Sequence, residues 1–181
     1  MSLIRALSRP LVFAFGLQLL ACAPALNWRE VTVAETPLRL QLPCRAHPQE
    51  RTLQLAGQRV LWRMLVCSAE DHTFAVAWAD LGNPNWVAPA LTELLAAAGA
   101  NVGALTNASK PLPKPLLVPG ATPHVASQQV LLVGRRGDGQ AVQMQLALFT
   151  FGTAVFQVTA LGPSVTPDVS GPLMDSLRFQ P

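Results

Sequence analysis

The sequence predicts an α+β domain, with an antiparallel sheet of about six to seven strands flanked by helices. In several runs apolar and polar residues alternate with a period of two, as in half-buried strands. Short turns separate these runs, which favours antiparallel pairing. Between two groups of such runs lies one stretch with the apolar spacing of an amphipathic helix. A second, short helix is expected at the C-terminus.

Residues 1–21 have the layout of a secretory signal peptide. Arg5 and Arg9 form a basic start, and an apolar run from 11 to 20 follows. Gln18 interrupts this run, and a membrane-spanning helix needs roughly 20 consecutive apolar residues. We therefore interpret the run as a targeting segment.

The end of the run, Leu19-Leu20-Ala21-Cys22, resembles the bacterial lipobox, in which a small residue precedes a cysteine that is diacylated and becomes the new N-terminus. The resemblance implies a lipid on Cys22. Ala23 rather than Asp after the cysteine implies sorting to the outer membrane of a double-membrane bacterium. A second interpretation is cleavage after Ala25, which would release a soluble periplasmic or secreted protein. Pro24 is an unfavourable residue within that cleavage site, so we favour the lipobox.

Removing residues 1–21 changes the charge balance of the chain. Of 13 Lys and Arg residues, Arg5 and Arg9 leave with the signal peptide, so 11 remain against 10 Asp and Glu. A near-neutral chain without a cluster of cations argues against nucleic acid as a partner, because phosphate binding needs such clusters. The remaining length suits a single domain.

Two of the three cysteines, Cys44 and Cys67, remain once Cys22 is assigned to lipid. In an oxidising envelope, two cysteines in a small domain are more often bridged than free. Two buried thiols are the alternative, and the geometry that decides between them is not visible in the sequence.

Residues 22–35 are predicted as a spacer and residues 36–181 as one domain. The domain begins with a meander of alternating strands joined by short turns. These strands are predicted at 38–42, 51–55, 60–67 and 72–79.

A change in apolar spacing predicts an amphipathic helix over residues 86–99. Its apolar residues recur at i, i+3, i+4 and i+7: Leu91, Leu94, Leu95 and Ala98. Gly99 is the expected stop. The proline-rich residues 110–115 that follow suit an extended surface segment.

The second half of the domain is predicted as three antiparallel strands and a short helix. The strands are expected at 125–133, 142–149 and 154–161, and the helix at 169–177.

This order of elements resembles the PsbP-like and DcrB-like superfamily. The resemblance depends on three short motifs: Leu38-Arg39-Leu40-Gln41-Leu42-Pro43, Phe156-Gln157-Val158-Thr159-Ala160-Leu161-Gly162 and Met174-Asp175-Ser176-Leu177-Arg178-Phe179. It implies an antiparallel sheet flanked by helices, and an accessory or binding module more than an enzyme. Cys44 stands where a glycine often follows Leu-Pro, and this departure implies a link between Cys44 and Cys67.

One predicted turn carries residue types used in hydrolysis and metal binding: Ser68, Asp71 and His72. His47 and His124 fall in other loops without the spacing of zinc ligands. A solvated turn is the default interpretation, and neither a metal nor a cofactor is expected.

The aromatic residues Trp28 and Trp86, together with the prolines of the 110–115 segment, form the candidate interaction surface. Exposed aromatic residues next to proline often mark such surfaces. The prolines are Pro111, Pro113 and Pro115. The alternative for Trp86 is packing of the start of the helix onto the core. Trp62 and Trp78 lie in phase with their strands and are predicted core residues.

These observations lead to two functional hypotheses. The first is a non-catalytic protein, anchored by lipid to the periplasmic face of the outer membrane, that binds or assists another envelope protein. The second is a small-molecule binder or hydrolase that uses Ser68, Asp71 and His72.

Overall fold

The computed structural model describes residues 26–103 and 113–180. The predicted signal peptide, the lipobox with Cys22, and Pro111 lie outside these residues. The strands are β1 (Arg29–Thr32), β2 (Leu38–Leu42), β3 (His47–Leu55), β4 (Gln58–Ala69), β5 (His72–Asp80), β6 (Lys114–Pro115), β7 (Gln128–Arg135), β8 (Ala141–Phe151), β9 (Ala154–Gly162) and β10 (Arg178–Phe179). The α-helices are α1 (Val87–Asn101) and α2 (Pro167–Asp175), and a short 3-10 helix (Pro84–Trp86) precedes α1.

The strands form two antiparallel sheets. The main sheet has seven strands in the order β3-β4-β5-β9-β8-β7-β6, and the small sheet has three in the order β1-β2-β10. The predicted combination of an antiparallel sheet with two helices is confirmed, although the structure is mainly β. The predicted count of about six to seven strands omits the short strands β1, β6 and β10. Strands of two to four residues are too short to show a period-two pattern.

Strand β1 lies inside the stretch expected to be a spacer, residues 22–35. It pairs with β2 from Arg29 opposite Leu42 to Thr32 opposite Arg39. Three of its four side chains are exposed, so no apolar alternation marks it in the sequence. Backbone pairing with β2 forms this strand, and the folded part of the chain therefore begins before residue 36.

The main sheet buries a core on each face, and strand β5 shows the division. Phe74, Val76 and Trp78 point to one face, which we call the small-sheet face because the small sheet and α2 cover it. Ala77 and Ala79 point to the opposite face, the helix face, which α1 covers. Successive side chains of a strand alternate between faces, so the predicted alternation accounts for both cores.

The two tryptophans predicted in the core are buried on opposite faces of the main sheet. Trp62 is 3% exposed and belongs to the core under α1, while Trp78 is 4% exposed and belongs to the core under the small sheet. Both predictions are confirmed.

Helix α1 confirms the predicted helix, but it does not end at Gly99. The helix continues to Asn101, and Gly103 then adopts a left-handed backbone with φ 59°. Gly134 of β7 lies against this end of the helix, where a Cβ atom would overlap the carbonyl oxygen of Val102. Glycine at position 134 therefore allows the helix end to contact the sheet through its backbone.

Cys44 and Cys67 form a disulfide, which confirms the predicted bridge. The S–S distance is 2.04 Å and the Cα atoms are 5.8 Å apart. Cys44 follows β2 and Cys67 lies in β4, so the bond joins the small sheet to the main sheet.

Replacing both Cys44 and Cys67 with Ser is expected to lower the free energy of unfolding by about 3 kcal/mol, because a loop spanning 23 positions would no longer restrict the unfolded chain. Urea unfolding of the oxidised wild type and the double variant measures this difference. Thiol titration of the denatured, unreduced wild type should detect neither cysteine. Equal stability of the two proteins would contradict a structural role for the bond.

Candidate functional site

The residues of the proposed hydrolase turn do not come together. Ser68 lies directly opposite Thr73 in the β4–β5 pairing, and their hydroxyl oxygens are 3.2 Å apart. His72 is the neighbour of Thr73 along the strand, so Ser68 and His72 point to opposite faces of the sheet. The Nε2–H group of His72 donates to the carbonyl oxygen of Ser164 at 2.8 Å. Asp71 is exposed. This geometry does not pair a serine nucleophile with a histidine base.

The candidate interaction residues lie in different parts of the structure. Trp28 is half-buried and packs edge-on against Phe74, with ring centroids 5.9 Å apart, in the small-sheet core. Trp86 is half-buried against the core under α1, as the alternative interpretation expected. Pro113 and Pro115 are exposed, and Pro115 lies in the edge strand β6. Trp28 and Trp86 therefore pack on opposite faces of the main sheet.

A cleft of about 330 Å³ opens on the helix face, between α1 and strands β3, β4 and β5. We call it the α1 cleft. Helix α1 packs over β8 and β9, and a single helix cannot cover seven strands spaced roughly 4.8 Å apart. Ala75 and Ala77 of β5 have small side chains, so the uncovered part of the sheet is recessed. The cleft therefore exists because α1 covers only part of the main sheet and because the β5 side chains beside it are small.

Two polar side chains on β9, Gln157 and Thr159, line the α1 cleft. Strand β9 is the central strand of the main sheet. Gln157 lies opposite Ala77 and Leu148 in the register, and both of these belong to the core under α1. Paired residues share a face, so the side chain of Gln157 points to the helix face, and that of Thr159, two positions on, does the same.

Neither polar side chain has a hydrogen-bond partner among residues 26–103 and 113–180. Thr159 is 8% exposed, and Gln157 is half-buried. Among the described residues, the fully buried polar side-chain atoms without a partner are His72 Nδ1 and Ser127 Oγ, so the Thr159 hydroxyl is open to solvent in the cleft. The α1 cleft thus contains an amide and a hydroxyl that form no hydrogen bonds with the described residues.

Apolar walls and a polar rim surround these two groups. Leu53, Met64 and Leu94 line the walls. At the rim, the Glu93 carboxylate accepts a hydrogen bond from the backbone N–H of Ala56 at 2.8 Å, which ties α1 to the β3–β4 turn. Arg51 also lines the cleft, so the rim carries one charge of each sign.

A second cleft, of about 380 Å³, lies on the small-sheet face beside Trp78. Its charged groups already have partners: Arg63 forms a salt bridge with Glu35 at 3.2 Å. The hydroxyl of Thr153 donates to Asp80, and this bond, followed by one from the backbone N–H of Gly82, holds the pKa of the Asp80 carboxyl below its usual value. The larger cleft therefore offers fewer unused polar groups, and the α1 cleft is the better candidate site.

The sequence contains a pattern at the α1 cleft that does not by itself indicate a cleft. Gln157 and Thr159 alternate with apolar residues in the predicted strand 154–161, a pattern that usually marks a strand with one face in water. In the structure β9 is central and its neighbours on both faces are buried, so the polar positions line a cleft instead.

Comparison of the chain with protein-family models finds no model that matches. Comparison with curated proteins likewise finds no match.

Two further properties concern the described residues alone. Within 26–103 and 113–180, no three His, Cys, Asp or Glu side chains lie close enough together to hold a metal ion. In the same part of the chain, neither helix has the length and apolar character needed to cross a membrane.

Replacing Thr159 with Val is expected to change the free energy of unfolding by less than about 0.5 kcal/mol, because its hydroxyl makes no hydrogen bond to a described residue and lies in the α1 cleft, where water can reach it. Thr150 provides a matched control. It is 1% exposed, and its hydroxyl donates to the carbonyl oxygen of Thr122 at 3.3 Å. Thr150→Val should therefore destabilise by about 1 kcal/mol. Urea unfolding measures both variants, and equal losses in the two would show that Thr159 has a structural partner.

Proposed function

We propose that this chain is a non-catalytic, lipid-anchored binding protein of the bacterial envelope, which serves another envelope component as an accessory module. The observation that carries the proposal is the α1 cleft, with the unpartnered side chains of Gln157 and Thr159. Amide and hydroxyl groups do not ionise near neutral pH, so they suit ligand binding by hydrogen bonds rather than acid–base chemistry.

Two features support a location in the bacterial envelope, the lipobox resemblance and the disulfide. The lipobox resemblance assigns lipid to Cys22, at the periplasmic face of the outer membrane. The Cys44–Cys67 bond supports an oxidising compartment, because disulfides persist in the envelope and are rare in the cytosol.

We also propose that the domain belongs to the PsbP-like and DcrB-like superfamily. The layered arrangement supports this assignment: α1 covers one face of an antiparallel sheet, while α2 lies with the small sheet on the other. The alternative of a hydrolase at Ser68, Asp71 and His72 has less support, since Ser68 and His72 point to opposite faces of the sheet.

The lipid anchor is tested by the mass of the mature N-terminus. The wild type should begin at Cys22 and carry acyl chains, because several chains are needed for stable membrane attachment. Cys22→Ser should lose the acyl mass and leave the outer-membrane fraction. The Cys44→Ser and Cys67→Ser double variant, as a control, should stay in that fraction. An unmodified N-terminus at Leu26 would contradict the anchor and support the soluble alternative.

Binding in the α1 cleft is tested by crosslinking in intact cells with wild type, Ala97→Trp and Ala96→Trp. Both alanines are exposed on α1, but of the two Ala97 alone lines the cleft. A reproducible envelope component should crosslink to the wild type and to Ala96→Trp, and only weakly to Ala97→Trp. Equal recovery with both variants would place binding outside the cleft, and recovery of no component with the wild type would contradict the proposed function.

A further inference from the structure

We propose that the α1 cleft binds a neutral polyhydroxylated ligand, of the size of a monosaccharide or a disaccharide. The inference rests on the proposed function, since it names the ligand class of the same site.

Apart from Arg51 and Glu93, the polar side chains that line the cleft are uncharged and can both donate and accept hydrogen bonds. Gln157 and Asn101 contribute amides and Thr159 a hydroxyl. A sugar hydroxyl is also both donor and acceptor, so it can pair with each of these groups in either direction. Thr159 is 8% exposed and has no partner in the described part of the chain, so its hydroxyl is positioned for a ligand.

Gln157 and Thr159 are also correctly spaced to hold two groups of one ligand. They lie two positions apart on the same side of β9, which places their Cα atoms roughly 7 Å apart at the usual strand rise. Both lie on the central strand of the main sheet, which fixes the positions of their backbones.

The charge of the cleft disfavours an ionic ligand. Arg51 and Glu93 are the charged residues that line it, and they carry opposite charges. The Glu93 carboxylate also accepts a hydrogen bond from the backbone N–H of Ala56, which uses part of its capacity to bind a ligand. Because one residue of each sign lines the cleft, an anion or a cation would meet a like charge as well as an opposite one.

The size and the walls of the cleft fit a small ring compound. A volume of about 330 Å³ lies at the lower end of the roughly 300–1,000 Å³ range of small-molecule sites. Leu53, Met64 and Leu94 provide apolar surface for the C–H groups of a sugar ring.

The test is titration of the full mature, lipidated chain, isotopically labelled and held in a detergent without a sugar headgroup. The probes are neutral monosaccharides and disaccharides, their matched uronic acids and amino sugars, and a neutral dipeptide amide. A neutral sugar should shift the side-chain amide resonances of Gln157 and saturate at millimolar concentration or below. The charged analogues should bind about tenfold more weakly, because the cleft presents each of them with a like charge as well as an opposite one.

Variants separate a ligand role from a structural one. Thr159→Val and Gln157→Leu should each weaken sugar binding about tenfold, the effect of losing one good hydrogen bond. Circular dichroism and the unfolding midpoint check that each variant folds, and Thr159→Val is expected to be about as stable as the wild type. Ala97→Trp should abolish binding, and Ala96→Trp should bind as the wild type does.

Three results would overturn the inference. They are equal binding of the charged analogues, tighter binding of the dipeptide amide than of any sugar, and no resonance shift with any neutral sugar at tens of millimolar. If one of these occurs while crosslinking in cells still depends on Ala97, the ligand class is wrong and the proposed function stands. If crosslinking also fails, both are wrong.

Discussion

The pairing of β5 with β9 is the contact on which the rest of this structure depends. It joins the meander of β3 to β5 with the later group of β7 to β9, along a register that runs from Thr73 opposite Leu161 to Asp80 opposite Ala154. The same register assembles both faces of the sheet. It places Val76 beside Val158 in the small-sheet core, and it places Ala77 beside Gln157 in the α1 cleft. A shift of one residue would exchange these two sets of side chains between faces.

The two faces of the main sheet are covered to different extents, and the candidate site results from this difference. On the small-sheet face, Phe149 and Phe156 stack with centroids 5.3 Å apart, and Phe179 of β10 packs edge-on against both rings. The small sheet, α2 and the disulfide complete that layer. On the helix face one helix of 15 residues covers β8 and β9 and leaves β3 to β5 partly open. The cleft is therefore a consequence of how many elements pack on each face.

Local patterns in the sequence are sufficient to predict the two helices and the longer strands, but not the short strands or the arrangement of the elements. The spacing of Leu91, Leu94 and Ala98 predicted α1, and the phases of Trp62 and Trp78 predicted two buried side chains, because these signals lie within single elements. The small sheet was missed, since β10 pairs with β2 across most of the chain and has only two residues. The α1 cleft was missed for the same reason. The alternation around Gln157 shows that one side of β9 is polar, whereas the position of β9 at the centre of the sheet depends on distant pairing.

The position of β1 bears on how a lipid anchor and a binding cleft fit in one small protein. In the proposed anchored form, seven peptide units separate Cys22 from Arg29, the first residue of β1, and a fully extended chain of that length spans roughly 25 Å at most. The folded domain would then be held close to the membrane surface. Strand β1 belongs to the small sheet, and the α1 cleft opens on the other face of the main sheet. A tether attached at β1 therefore starts on the side of the sheet opposite the cleft, so the proposed anchoring at Cys22 and the proposed binding at Gln157 and Thr159 would use separate faces of the domain.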